Sequence, residues 1–138
     1  MKNKNIVFKK TDAFNLQELL VVLVIIGILI LIALPNLMPL IASARRVEAK
    51  QQLNHIYNMQ RNYFYMNSKY SDNFNVVDFI PPKNINQGGT ANYNYEIIQA
   101  SNNSFKARAT AITDFDGDGV FNVWEIDQDK NLIEVVSD

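Results

Sequence analysis

A chain of 138 residues, 48% of them hydrophobic, has room for one long helix and one small domain. Its formal net charge of −1 gives no bulk attraction for nucleic acid or for an acidic lipid surface. Cysteine is absent, so whatever secures the domain is not a disulfide.

Residues 1–13 carry Lys2, Lys4, Lys9 and Lys10 against Asp12 alone, a balance that keeps this end in the cytoplasm while the remainder is exported. From Leu19 to Leu34 come sixteen residues without a charge, prolonged to Ala42 past Pro35, Asn36 and Pro39, about the length that spans a bilayer core. Leu, Ile and Val occupy every side of this run, which leaves no polar face for water. An ordinary secretory signal places its apolar stretch before a small-residue cut. Here the run follows Ala13 and would be retained as structure.

Glu18 stands at the lip of the run, where an acid is costly: about 2.5–3.5 kcal/mol at mid-membrane depth and less near the interface. Two partners would satisfy it. One is the positive end of the helix dipole. The other is a new ammonium at Phe14, created by a cut after Ala13, one helical turn away on the same chain or offered by a neighbouring copy.

A short basic leader, a small residue at Ala13 before the aromatic Phe14, Glu18 fifth from that aromatic, and an apolar run holding Gly27 and Pro35 together resemble the class III signal segment of type IV pilins and their secretion-system relatives. The resemblance implies that a prepilin peptidase cuts after Ala13 and methylates Phe14, and that Glu18 guides each subunit into a helical filament. Ala13 stands where glycine is usual, Asn15 where threonine is common and Gln17 where an aliphatic residue is common. Gly27 and Pro35 each weaken a helix, the first through backbone entropy and the second by a lost hydrogen bond and a clash. Two readings stay open: a kink tolerated in lipid, or a segment that loses helical structure in filaments of this family.

Beyond Ala42 the pattern turns amphipathic with no intervening loop. Ala49, Leu53, Ile56, Tyr57, Tyr63 and Phe64 recur mostly at helical steps among polar neighbours, which predicts a continuing helix over 43–70. Arg45 and Arg46 would snorkel at the outer interface or meet a neighbour's acids. His55, the only histidine, has no second metal-binding side chain beside it and reads as a boundary residue. Residues 71–91, punctuated by Pro81-Pro82 and Gly88-Gly89, form a connection that Phe74, Val76, Val77, Phe79 and Ile80 pin to the domain edge. Over 92–138 four strands follow: alternation through Tyr93, Tyr95 and Ile97, then through Phe105, Ala107, Ala109 and Ala111, then Val120 to Asp127 and Leu132 to Val136. A helix followed by strands without crossovers gives an α+β fold, an antiparallel sheet wrapped on a long N-terminal helix that is half membrane-spanning. The resemblance implies the same arrangement, the type IV pilin fold, with residues 14–42 as transmembrane and filament-core helix and 43–138 as an exported head.

The second motif is acidic. Laid on a twelve-position calcium loop, Asp114, Asp116 and Asp118 take positions one, three and five, Gly119 the turn, Val120 a carbonyl at seven, Asn122 nine and Glu125 twelve. Three carboxylates so close repel one another unless a cation or water lies among them. The competing reading is a tight turn between strands, for which Asp and Gly are the ordinary residues. If Val120 to Ile126 is a strand, each residue advances about 3.3 Å and Glu125 lies far from the loop. Bound calcium would fasten the C-terminal hairpin, the job that cysteine cannot do here.

No nucleophile, base and oxyanion set and no phosphate loop is present, which argues against an enzyme. The expected function is a structural subunit, made as an inner-membrane precursor and packed with other copies or other pilins into a surface filament. One alternative is the major pseudopilin of a type II secretion system. Another, of a different class, is a membrane-anchored calcium-binding domain that never polymerises.

Overall fold

The computed structural model describes Ala13 and residues 15–138. The rest of the basic leader and Phe14, the expected new N-terminus, lie outside the described residues. The elements are one helix, α1 (Leu16–Asn67), a single 3-10 turn (Ile85–Gln87) and the strands β1 (Tyr93–Ala100), β2 (Phe105–Ala111), β3 (Val123–Asp127) and β4 (Leu132–Val136). The chain divides into two compact units between Leu37 and Met38.

From Leu16 onward the first unit is helix. Its large hydrophobic side chains from Leu19 onward are all exposed, and the helix is long and apolar enough to cross a membrane. Helical structure passes unbroken through Gly27 and Pro35, so the single chain does not lose its helix there. Next to Pro35, the Asn36 side-chain amide donates to the Ile32 carbonyl at 3.4 Å.

In the second unit α1 has one dry face. Ala49, Leu53, Ile56, Tyr57 and Gln60, spaced at helical steps, are its buried residues. They share a core with Tyr93 and Tyr95 of β1, with the inward residues of β2, and with Trp124 and Ile126 of β3. Three inward positions of β2 are alanines, Ala107, Ala109 and Ala111. Their small side chains leave volume that Leu53, Tyr93 and Phe105, all fully buried, fill.

The sheet is an antiparallel meander in the order β1-β2-β3-β4. Its tight turns fall at 101–104 and 128–131, the second with Lys130 at φ 64°. The link from β2 to β3 is longer and holds the acidic motif. It also corrects an expectation: β3 begins at Val123, not at Val120, because Val120 and Phe121 still belong to the loop and are exposed.

Polar anchors fix the connection before the sheet. The Gln60 amide donates to the Ser71 carbonyl and accepts from the Ser71 N–H, satisfying a buried side chain and the backbone that turns back beside it. Glu48 accepts from the Asn92 backbone at 2.9 Å and from its side chain at 2.7 Å, pinning the entry to β1. Of the five apolar residues expected to pin the connection, Val77 and Phe79 are buried and Phe74 packs beside them. Val76 and Ile80 instead point outward. Residues 74–78 form consecutive turns, with the Val77 amide donating to the Asn73 carbonyl, the Phe79 amide to the Phe74 carbonyl and Asp78 at φ 61°, and so coiled a run puts only some of its side chains inside.

Candidate functional site

Two features stand apart from the core: the apolar surface of the first unit, and the carboxylates of the acidic loop in the second, a loop whose Phe115 alone packs against the core through Tyr93. At the first, Asn15 and Glu18 form a capping box. Asn15 Oδ1 accepts from the Glu18 N–H at 2.8 Å, and Glu18 Oε2 accepts from the Asn15 N–H at 3.2 Å. Glu18 thus satisfies one of the orphan amides at the helix start in the single chain, and both partners are exposed. The Asn-x-x-Glu spacing before an apolar run is a helix-start signature that the reading of Asn15 as a departure passed over. Ala13, the residue before the expected cut, is exposed.

The acidic loop is built from successive side-chain turns. Asp114 Oδ1 accepts from the Asp116 and Gly117 amides, Asp114 Oδ2 from Gly119, Asp116 Oδ1 from Asp118, and Asp118 Oδ1 from Val120. Gly117 and Gly119 both take φ 88°, a left-handed conformation that a side chain would strain. Amides of Gly119 and Gly117 hold the Asp114 carboxyl below the usual carboxylate range. Their contribution is therefore present above the ordinary pKa and is lost as pH falls through the lowered one. At Asp116 the Asp118 amide is the largest influence and pulls downward. Desolvation and the charges of Asp118, Asp138 and Asp114 together outweigh it, and the carboxyl lies above its usual value.

The structure brings Asp114, Asp116 and Asp118 together with Asp138, one carboxylate oxygen of each lying within 4.8 Å of the others. Asp138 was not legible in the motif. Its Oδ2 accepts from the Phe115 N–H at 2.8 Å, and its Oδ1 is buried without a hydrogen-bond partner. Val120 stays in the loop. Asn122 and Glu125, expected at positions nine and twelve, are engaged elsewhere. Asn122 is fully buried: its Oδ1 accepts from the Tyr93 hydroxyl at 2.7 Å, and its Nδ2 donates to Glu134 and to the Val136 carbonyl. Burial pushes the Tyr93 phenol upward, which keeps it a neutral donor. Glu125 sits on β3 opposite Arg108 of β2 and accepts from Nε at 2.9 Å and Nη2 at 2.7 Å, with Lys106 Nζ at 3.7 Å. A strand residue cannot double back to a loop that precedes it, which is the physical reason for this placement.

Arg45 and Arg46 also have partners within the unit. The Arg45 guanidinium lies 5.1 Å from the Phe115 ring centroid. Arg46 donates to the Asp138 carbonyl and pairs with Glu134 at 3.6 Å. Both basic residues therefore tie the acidic loop and the segment after β4 to α1. His55 is exposed and packs edge-on against Phe79 at 5.3 Å.

Residues 35–119 match the family described as Type IV minor pilin ComP, DNA uptake sequence receptor. Over 74 residues the chain is 39% identical to the Type IV major pilin protein PilA of Myxococcus xanthus (strain DK1622). That alignment takes in 54% of this chain and 34% of the relative, so it spans about a third of the relative's length.

Glu125→Gln removes the nearer of the two anions that Arg108 faces, Glu96 lying at 4.0 Å, and denaturant titration of the full chain in detergent should show a loss of about 1–3 kcal/mol. Calcium titration of the variant should give the same response as titration of the wild-type chain. A calcium response present in the wild type and lost in the variant would place Glu125 at a metal.

Proposed function

Because this chain belongs to the type IV pilin family, whose members are structural proteins, we propose that it is a subunit of a surface filament assembled through the first unit's helix. The observation that carries the proposal is the apolar surface itself. Large hydrophobic side chains from Leu19 to Ile41 expose 44–72% of their area, and none of that surface has a partner among the described residues. Burial is worth about 25 cal/mol per Å² of apolar surface, so this stretch needs lipid or other helices around it. Lipid serves before assembly and neighbouring copies serve afterwards, when close helix packing replaces lipid contacts.

In this reading a prepilin peptidase cuts after the exposed Ala13 and methylates Phe14. Glu18 then exchanges its local capping contact, or shares it, with the ammonium of a neighbouring subunit's Phe14. A buried charge pair of this kind sets register more than it adds affinity. Both comparisons name pilins, which favours a surface filament over the pseudopilin of a secretion system. The DNA uptake role belongs to the family's namesake, and a net charge of −1 gives this chain no bulk attraction for a duplex.

The acidic loop is proposed to hold a structural calcium ion. Asp114, Asp116, Asp118 and Asp138 offer oxygen ligands suited to a hard cation, and the unpartnered buried Oδ1 of Asp138 lacks only a positive partner. Bound there, calcium supplies charge neutralisation. The residues themselves do the fastening: Asp138 ties to the loop through the Phe115 amide and to α1 through Arg46. Asn122 and Glu125 stay in their own networks.

Glu18→Ala should leave the membrane-inserted precursor at its normal level and abolish filaments. Membrane fractionation with electron microscopy of the cell surface reads both, and normal filaments from the variant would exclude a role for Glu18 in assembly. Excess chelator should lower the melting temperature of the calcium-loaded chain by about 5 °C or more, the scale expected when a ligand far above its Kd is removed. An unchanged melting temperature would remove the metal from the account.

A further inference from the structure

A cleft of about 240 Å³ opens where the last turns of α1 meet the start of β2 and the β3–β4 turn. It is unrelated to the acidic loop and independent of the filament reading. Its walls are aromatic: Phe64 stacks on Tyr70 with ring centroids 4.8 Å apart, and Tyr70 lies 5.0 Å from Phe105. At its edge Arg61 donates from Nε to the Tyr65 hydroxyl and from Nη1 to the Tyr57 hydroxyl, each at 2.7 Å.

That arrangement fixes what the cleft offers a ligand. Each of the two tyrosine oxygens has accepted a hydrogen bond from Arg61, and neither donates its own hydrogen to a described residue. Arg61 retains further N–H groups and has no carboxylate partner among the described residues. Lys130 adds a second cation, its Nζ 5.6 Å from the Tyr57 ring centroid, and the nearby Asp129, which takes a hydrogen bond from the Gln128 amide at 2.8 Å and keeps its charge, offsets one of the two cations. The cleft thus combines flat apolar walls with a donor-rich, cationic edge.

We propose that this cleft binds one carboxylate-bearing sugar ring of an acidic polysaccharide. The half-buried Phe64 and Tyr70 and the exposed Tyr65, with Phe105 and Tyr57 buried behind them, present aromatic surface to the apolar face of a pyranose ring, and the free hydroxyl hydrogens meet its oxygens. Arg61 takes the carboxylate as a fork. The volume, below the roughly 300–1,000 Å³ of pockets for larger ligands, suits a single ring. Single-stranded nucleic acid shares the stacking and the anion but needs a basic groove that tracks successive phosphates. Two cations at one cleft do not make that groove.

The test is binding of tetragalacturonate to the full chain in detergent, with cellotetraose as the neutral control and tetrathymidylate as the nucleic-acid control, all at one salt concentration. Tetragalacturonate should bind about tenfold or more tighter than either control. Arg61→Gln should weaken it by about tenfold, the loss of one charge-assisted contact. Tyr65→Ala, at a side chain 66% exposed and thus safe for the fold, should weaken it as well. No binding of tetragalacturonate, equal or tighter binding of either control, or wild-type affinity in Tyr65→Ala would overturn the proposal.

Discussion

The rest of the structure depends on an apolar helix that none of the described residues cover. From Leu19 to Ile41 the side chains are hydrophobic on every side and the described residues supply no partner. Water is a poor surrounding for such a surface, because the free energy of exposure scales with apolar area. The helix must therefore be solvated by lipid or by other helices. That requirement explains why its first turn carries its own polar solution, the reciprocal pair of Asn15 and Glu18. It also explains why Gly27 and Pro35 are tolerated, since a single chain keeps its helix through both.

The second unit solves the opposite problem, that of a small domain without cysteine. One face of α1 seals the sheet, and the alanines of β2 make room for larger side chains between them. Polar ties take the place of a covalent one. Gln60 holds Ser71, Glu48 holds Asn92, and Asn122 joins Tyr93 on β1 to Glu134 and Val136 on β4. Each buries a polar group only with its partner supplied, which is the condition for such groups to stabilise rather than cost. Arg46 extends the set by reaching both Glu134 and Asp138. The segment after β4 is thereby held to α1 by charge where a disulfide would otherwise serve.

Legibility in the sequence followed the range of the interactions. The helix and its change from all-round apolar to one-faced were readable because periodicity is local, and the same is true of the alternation through Tyr93 and Tyr95 and through Ala107 and Ala109. The start of β3 was misplaced for a related reason: Val120 and Phe121 continue the apolar pattern, yet the side-chain turn at Asp118 still governs Val120. Three of the four clustered carboxylates could be read from a spacing of two residues. Asp138 could not, because it reaches the loop only after β4 pairs with β3 and carries the chain back beside it. Glu125 fitted the motif by count alone. Its strand register instead sets it opposite Arg108, a long-range fact that no local pattern contains.

The central claim is that the uncovered helix packs against copies of itself in a filament once the leader has been removed. Mass spectrometry of filaments sheared from cells tests it most directly, since it reads presence and processing together. The account predicts this chain in the sheared fraction, beginning at a methylated Phe14. A chain confined to the membrane fraction, or one found in filaments with Met1 still attached, would contradict it.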